Sequence, residues 1–180
     1  MSSLNQVKNC FINAKKDEAK GKKHKGLLVV EPNHEQALDY IKKAKENLEW
    51  CDKYKEEGAD YKLPEEWFYT IYYCALSILS KFGVDSRNQK CTALFLRYVK
   101  DANLITLDDD FIDRITVHSE KEKKTDVDER EEARYGPKVK DSEIVEKYEV
   151  MMERCKTCLA QTEELIFSKK EFKIPKEAME

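Results

Sequence analysis

Turn-forming residues are scarce, with five glycines and four prolines in 180 residues. An all-β chain needs a turn signal at roughly every eight to twelve positions, which excludes that class. There is no glycine-rich phosphate loop, no Gly-x-Ser-x-Gly elbow and no Rossmann turn. No apolar stretch approaches the ~20 residues of a membrane span. Met1–Lys8 also lacks the apolar core of a signal peptide. The three histidines are too few and too scattered for most metal sites. Glu31-Pro32-Asn33-His34 has Glu-x-x-His spacing but straddles a proline and stands alone, which argues against a di-iron bundle. No cofactor, metal or membrane is expected, and the chain reads as soluble and cytoplasmic.

Charge of one sign is also missing in bulk: 38% of residues are charged, yet the net is −3. Nothing in that balance points to nucleic acid or membrane. The distribution is less even. Seven lysines against Asp17 and Glu18 put about +5 on residues 1–25 and leave about −8 on the rest. Lys15–Lys25 resembles a phosphate-tracking cluster, though without aromatics for base stacking. Lysines at a helix end also simply complement its dipole. Cysteines 10, 51, 74, 91, 155 and 158 mostly fall on apolar stripes, which predicts reduced, buried thiols rather than a disulfide framework. Cys155-Lys156-Thr157-Cys158 has zinc or redox spacing, but no second ligand pair and no preceding strand. Both cysteines fit a helix stripe with Met151 and Thr162.

What is present is helical periodicity. Leu4, Val7, Phe11 and Ala14 predict a first amphipathic helix, followed by a lysine-rich stretch in which His24 is expected to be solvated. Leu27–Glu31 reads as an extended apolar connection. Asn33 and Gln36 predict a capping box opening a helix to about Glu56, with Ala37, Ile41, Ala44, Leu48 and Cys51 as its seam. Pro64 and Gly83 bracket a central helix that is apolar around most of its circumference and must be surrounded by others. Within it, Tyr72 and Tyr73 put hydroxyls where a bundle normally carries carbon. Ser86 and Gln89 predict a second capping box for a helix with Cys91, Leu94, Phe95, Tyr98, Val99 and Ala102 inward. A short helix bears Phe111, Ile112 and Ile115. Ser119–Glu132 is a charged stretch, and Ala133–Pro137 carries a stop signal. The last long helix starts near Ser142, and a charged tail from Ser168 is expected to fray. The class is all-α.

Two constellations carry chemistry. Arg114 and His118, one turn apart, share a helix face and together suit holding a phosphate and shuttling a proton. Arg87, Asn88, Gln89 and Lys90 cluster at a helix N-terminus, where backbone N–H groups already favour an anion.

Tyr72-Tyr73-Cys74-Ala75 with Gly83, then Ser86-Arg87-Asn88-Gln89-Lys90-Cys91, then Arg130-Glu131-Glu132-Ala133-Arg134-Tyr135 follow in an order that resembles the HEPN family (higher eukaryotes and prokaryotes nucleotide-binding domains). The resemblance covers residues 33–168. It implies an antiparallel bundle of four to five core helices, usually dimeric, with residues 1–32 as an N-terminal helical extension and residues 169–180 as a tail. It also implies either a metal-independent ribonuclease or the helical partner of a minimal nucleotidyltransferase, in toxin–antitoxin fashion. Nuclease members place a histidine after an arginine and four to six intervening residues. Arg87, Arg97, Arg114, Arg130, Arg134 and Arg154 all fail that spacing, and His118 comes one place early after Arg114. Where relatives carry a histidine near the fourth helix start, this chain reads Asn88-Gln89-Lys90, and amides do not transfer protons near neutral pH. The expectation is therefore a non-catalytic domain binding RNA, a nucleotide or a protein partner through Arg87–Lys90, with Tyr72 and Tyr73 lining the adjoining cleft. The alternatives are a ribonuclease with a displaced Arg114/His118 site, and a scaffold with no nucleic-acid role.

Overall fold

The computed structural model describes residues 3–116, 130 and 141–180. Among them, α1 spans Ser3–Ala19, β1 Leu27–Val29, α2 His34–Glu56 and α3 Leu63–Phe82. Then come β2 at Val84–Ser86, α4 at Gln89–Asp101 and α5 at Asp109–Ile115. The last two helices are α6, Asp141–Phe167, and α7, Lys176–Met179. The described residues are thus mostly helical, with one two-stranded ribbon. None of these helices is long and apolar enough to cross a membrane. The charged stretch Ser119–Glu132, Arg130 apart, and the stop signal at Ala133–Pro137 lie outside the described residues.

As its all-round apolar pattern requires, α3 is the centre: α2, α4, α5 and α6 all pack on it. Trp67, Ile71, Cys74 and Ile78 are buried on one face, Phe68, Ala75 and Leu79 on the next. On α2 the small residues Ala37 and Ala44 of the buried seam allow close approach to α3. Ser77 Oγ uses it, donating to Ala37 O at 2.7 Å, and Ser80 Oγ donates to Gln36 Oε1 at 3.1 Å. The first capping box forms only by half. Asn33 Oδ1 accepts from Gln36 N at 2.9 Å, but Asn33 N donates to Ser80 O on α3 rather than to Gln36. Tertiary packing supplies a better acceptor than the local side chain.

Gly83, at φ 76°, ends α3 in the left-handed conformation, and its N–H returns to Leu79 O and Ser80 O. The turn feeds β2, which pairs antiparallel with β1: Leu27 opposite Ser86, Leu28 opposite Asp85, Val29 opposite Val84. The extended connection at β1 was legible; β2, three residues long, carries no periodicity of its own.

Two expectations fail at the chain ends. Cys10 and Cys91 are joined by a disulfide between α1 and α4. The stripe carrying Val7, Cys10, Phe11 and Ala14 faces the α4 stripe, and Phe11 meets Phe95 edge-on at 6.3 Å. Apolar stripes do not reveal which one will face which, so the pairing was invisible. The C-terminal tail does not fray. Phe172 stacks on Phe82 at 4.9 Å, Ala178 is fully buried, and Tyr98 Oη donates to Glu177 Oε1 at 2.9 Å. Lys81 Nζ closes the end of α6, donating to Leu165 O, Ile166 O and Ser168 O at 2.7, 2.9 and 2.9 Å.

Candidate functional site

Tyr69, Tyr72 and Tyr73 stand three and four residues apart on α3, so they share one stripe. All three are half-buried. Tyr40, from the facing turn of α2, stacks on Tyr73 at 6.1 Å with 22° between the rings. Tyr69 lies 5.9 Å from Tyr73, and Phe68 stacks on Tyr72 at 5.6 Å. Cations border the rings. Lys43 Nζ is 5.7 Å from the Tyr40 centroid and 5.6 Å from that of Tyr73. The Arg130 guanidinium is 4.5 Å from the Phe68 centroid and 5.7 Å from that of Tyr69. The result is a tyrosine face between α2 and α3 with a positive group at each side.

Burial raises the phenol of Tyr72, with Thr92 opposing and Tyr40 and Tyr69 adding to the rise. Tyr40 is raised by burial, then by the nearby Asp85 carboxylate and Tyr73. Tyr73 is raised by burial, Tyr69 and Glu66. These phenols stay protonated at neutral pH and present O–H donors.

The face runs on into the start of α4. Tyr72 Oη and Thr92 Oγ1 are 3.4 Å apart, and Thr92 Oγ1 and Ser86 Oγ 2.7 Å. Here the second capping box is corrected. The N-cap is Asn88, whose Oδ1 accepts from Cys91 N at 3.0 Å, while Ser86 sits in β2 and Gln89 is already helical. Pairing with β1 holds Ser86 in a strand and moves the cap two residues on. Arg87 and Lys90 are exposed and Asn88 and Gln89 half-buried; of the four, Asn88 is tied to the Tyr72 network, its carbonyl accepting from Thr92 Oγ1 at 3.1 Å. Tyr73 instead turns toward α2 and Tyr40.

His24 is not solvated: it is 2% exposed, and its Nε2 lies 2.8 Å from Asp85 Oδ2. Asp85 also receives Arg87 Nε at 3.4 Å. An arginine and a histidine thus meet at one carboxylate, although they are far apart in sequence. The imidazole is covered and committed to Asp85, so it ties the connection after α1 to β2 rather than facing a ligand. Arg87 N donates to Gly26 O at 3.2 Å and Asn88 Nδ2 to Lys25 O at 3.4 Å. The exposed Lys25 therefore adjoins Arg87 and Asn88.

Of the second constellation, Arg114 alone is described. Arg114 Nε donates to Asp110 Oδ2 at 3.0 Å, its Nη1 lies 3.3 Å from Met151 Sδ, and its side chain is 14% exposed. His118 lies outside the described residues. Cys155 and Cys158 are core residues, 0% and 4% exposed. No group of three His, Cys, Asp or Glu among the described residues is placed to hold a metal. A groove of about 440 Å³ between α5 and α6, lined by residues that include Phe111, Val150 and Cys158, shares none of its described lining with the tyrosine face.

Sequence reasoning missed Tyr40, Lys43, Asp85 and Thr92. Tyr40 and Lys43 carried a faint signal, an aromatic and a cation one turn apart on the polar side of α2. Of the Arg130–Tyr135 segment, only Arg130 is described. No known family model matches the chain, and no curated protein matches it either.

Proposed function

We propose that this chain is a non-catalytic HEPN-like binding domain whose ligand is a nucleotide or single-stranded nucleic acid. The tyrosine face receives the bases, and Arg87, Lys90 and Lys43 receive the phosphates. The observation that supports this reading is the continuity of the face with the α4 start through Tyr72, Thr92 and Ser86. Stacked rings offer sequence-tolerant contacts to bases, while bordering cations neutralise a backbone. A proton-transferring group is not among the residues that carry the reading: the face is built from protonated phenols, hydroxyls, amides and cations.

Fluorescence anisotropy with short labelled single-stranded RNA and DNA tests it. Binding should weaken with salt, and Arg87→Gln should reduce the slope of log K against log salt by about one. Tyr40→Ala should cost about 1–3 kcal/mol, the worth of one stacked base. Absence of salt-dependent binding to either probe refutes the reading. Cleavage of the RNA that disappears in His118→Ala would replace it with the ribonuclease alternative.

A further inference from the structure

We propose that the Cys10–Cys91 disulfide is a redox latch that sets the affinity of the tyrosine face by holding the lysine-rich connection against the α4 start. This rests on the binding reading above. Cys91 is in the first turn of α4, directly after Lys90 and directly before Thr92 of the Tyr72 network. Cys10 lies midway along α1, over Gly26, where an added Cβ would stand 2.3 Å from Cys10 O. Gly26 O accepts from Arg87 N, Lys25 O accepts from Asn88 Nδ2, and Asn88 caps Cys91. The middle of α1, the lysine connection and the α4 start are thus closed into one ring by a single covalent bond. The other ties here, among them His24 to Asp85, Lys25 N to Asp17, the Phe11–Phe95 contact and the β1–β2 pairing, are noncovalent.

The pair also differs from the other thiols. Cys10 and Cys91 keep 6% and 7% of their surface exposed, against 0% for Cys51, Cys74 and Cys155 and 4% for Cys158. A dithiol reductant attacks Cys10 Sγ as its thiolate, and the S–S bond breaks. Cys91 leaves as a thiolate favoured by the helix N-terminus, and then takes a proton. The second thiol of the reductant displaces Cys10, giving two protein thiols and an oxidised, cyclised reductant. Two electrons pass to the protein. Without the crosslink, the connection loosens from the α4 start while the buried stripe of α1 and the α2–α3–α6 core persist. Lys25 then leaves the neighbourhood of Arg87 and Asn88, and the lysines before it are no longer held at the α4 start.

The test compares the chain purified without reductant with the same chain after dithiothreitol, and with Cys10→Ser and Cys91→Ser. Single-stranded RNA affinity should fall about tenfold on reduction, within the usual range of coupling between linked sites. Both variants should bind like the reduced chain and ignore dithiothreitol. Trypsin cleavage within Lys15–Lys25, a readout that needs no ligand, should accelerate in parallel. Binding that is unchanged by reduction, with unchanged trypsin protection, overturns the latch and leaves the binding reading standing. Failure of the oxidised chain to bind overturns control of affinity along with the binding reading, and the trypsin pattern then decides the latch alone. Six free thiols in the chain purified without reductant also overturn it.

Discussion

Substituting Gly83→Ala should destabilise the protein through the turn that delivers β2 to the site. Two terms add. At φ 76°, an L-residue carries a left-handed penalty of roughly 1–2 kcal/mol. The new Cβ would also stand 2.5 Å from Val30 O and 3.0 Å from Pro32 Cδ. The closer atom is backbone, so the segment after β1 must move. That move strains the Val30 N to Gly83 O bond of 2.9 Å and the Asn33 N to Ser80 O bond of 3.0 Å. Losing one such bond costs about 1 kcal/mol, which brings the total to about 2–3 kcal/mol. Gly58→Ala is the control, because Gly58 has φ 71° but nothing within 4 Å of its Cβ position. Alanine also narrows the unfolded chain, and that gain cancels between the two variants. In urea, Gly83→Ala should lower the midpoint by about 1–2 M with m unchanged, and Gly58→Ala by less. Equal destabilisation of the two variants would refute the steric argument.

The alkaline limb of stability tests the docking of the tail. Burial, then hydrogen bonding to Glu177 and its charge, push the Tyr98 phenol up to about 12 from 10.0. A raised folded value means that its contribution is whole below pH 10 and is lost as pH rises from there through about 12. Tyr98→Phe should flatten that loss in pH-dependent melts, and an unchanged alkaline slope would count against the Tyr98–Glu177 contact. Thiol reactivity tests the core. Burial, ahead of nearby carboxylates, pushes Cys51 and Cys74 up to about 12 each. With Cys155 and Cys158 also covered, a disulfide-exchange reagent at pH 8 should label no thiol in the folded, unreduced chain and four after denaturation. Rapid labelling of the folded chain would contradict this burial.

Much of the helical frame was legible because its signals are local. The stripe from Ala37 to Cys51, the Pro64 and Gly83 bracket, and the Phe111–Ile115 turn each act within one helix. Half of the candidate site was legible on the same ground, since Tyr72 and Tyr73 are out of place in an apolar helix and Arg87–Lys90 sit at a helix start. The other half was not. Tyr40, Lys43, Asp85 and Thr92 matter only through partners on other elements, and their own neighbours in sequence give them no distinction. His24 is the sharpest case: its flanking lysines imply solvent, yet Asp85 draws it to 2% exposure.

By itself, then, the amino-acid sequence determined the helical class, the central place of α3 and the failed spacing of arginine and histidine. Periodicity, caps and composition act over a few residues and survive without a fold. Only the tertiary structure decided which stripes face each other. It brought Cys10 to Cys91, His24 to Asp85, and the lysine-rich connection to the α4 start. Each of those contacts joins residues more than sixty positions apart, where chain entropy opposes the meeting unless a packed core between them has already placed both ends.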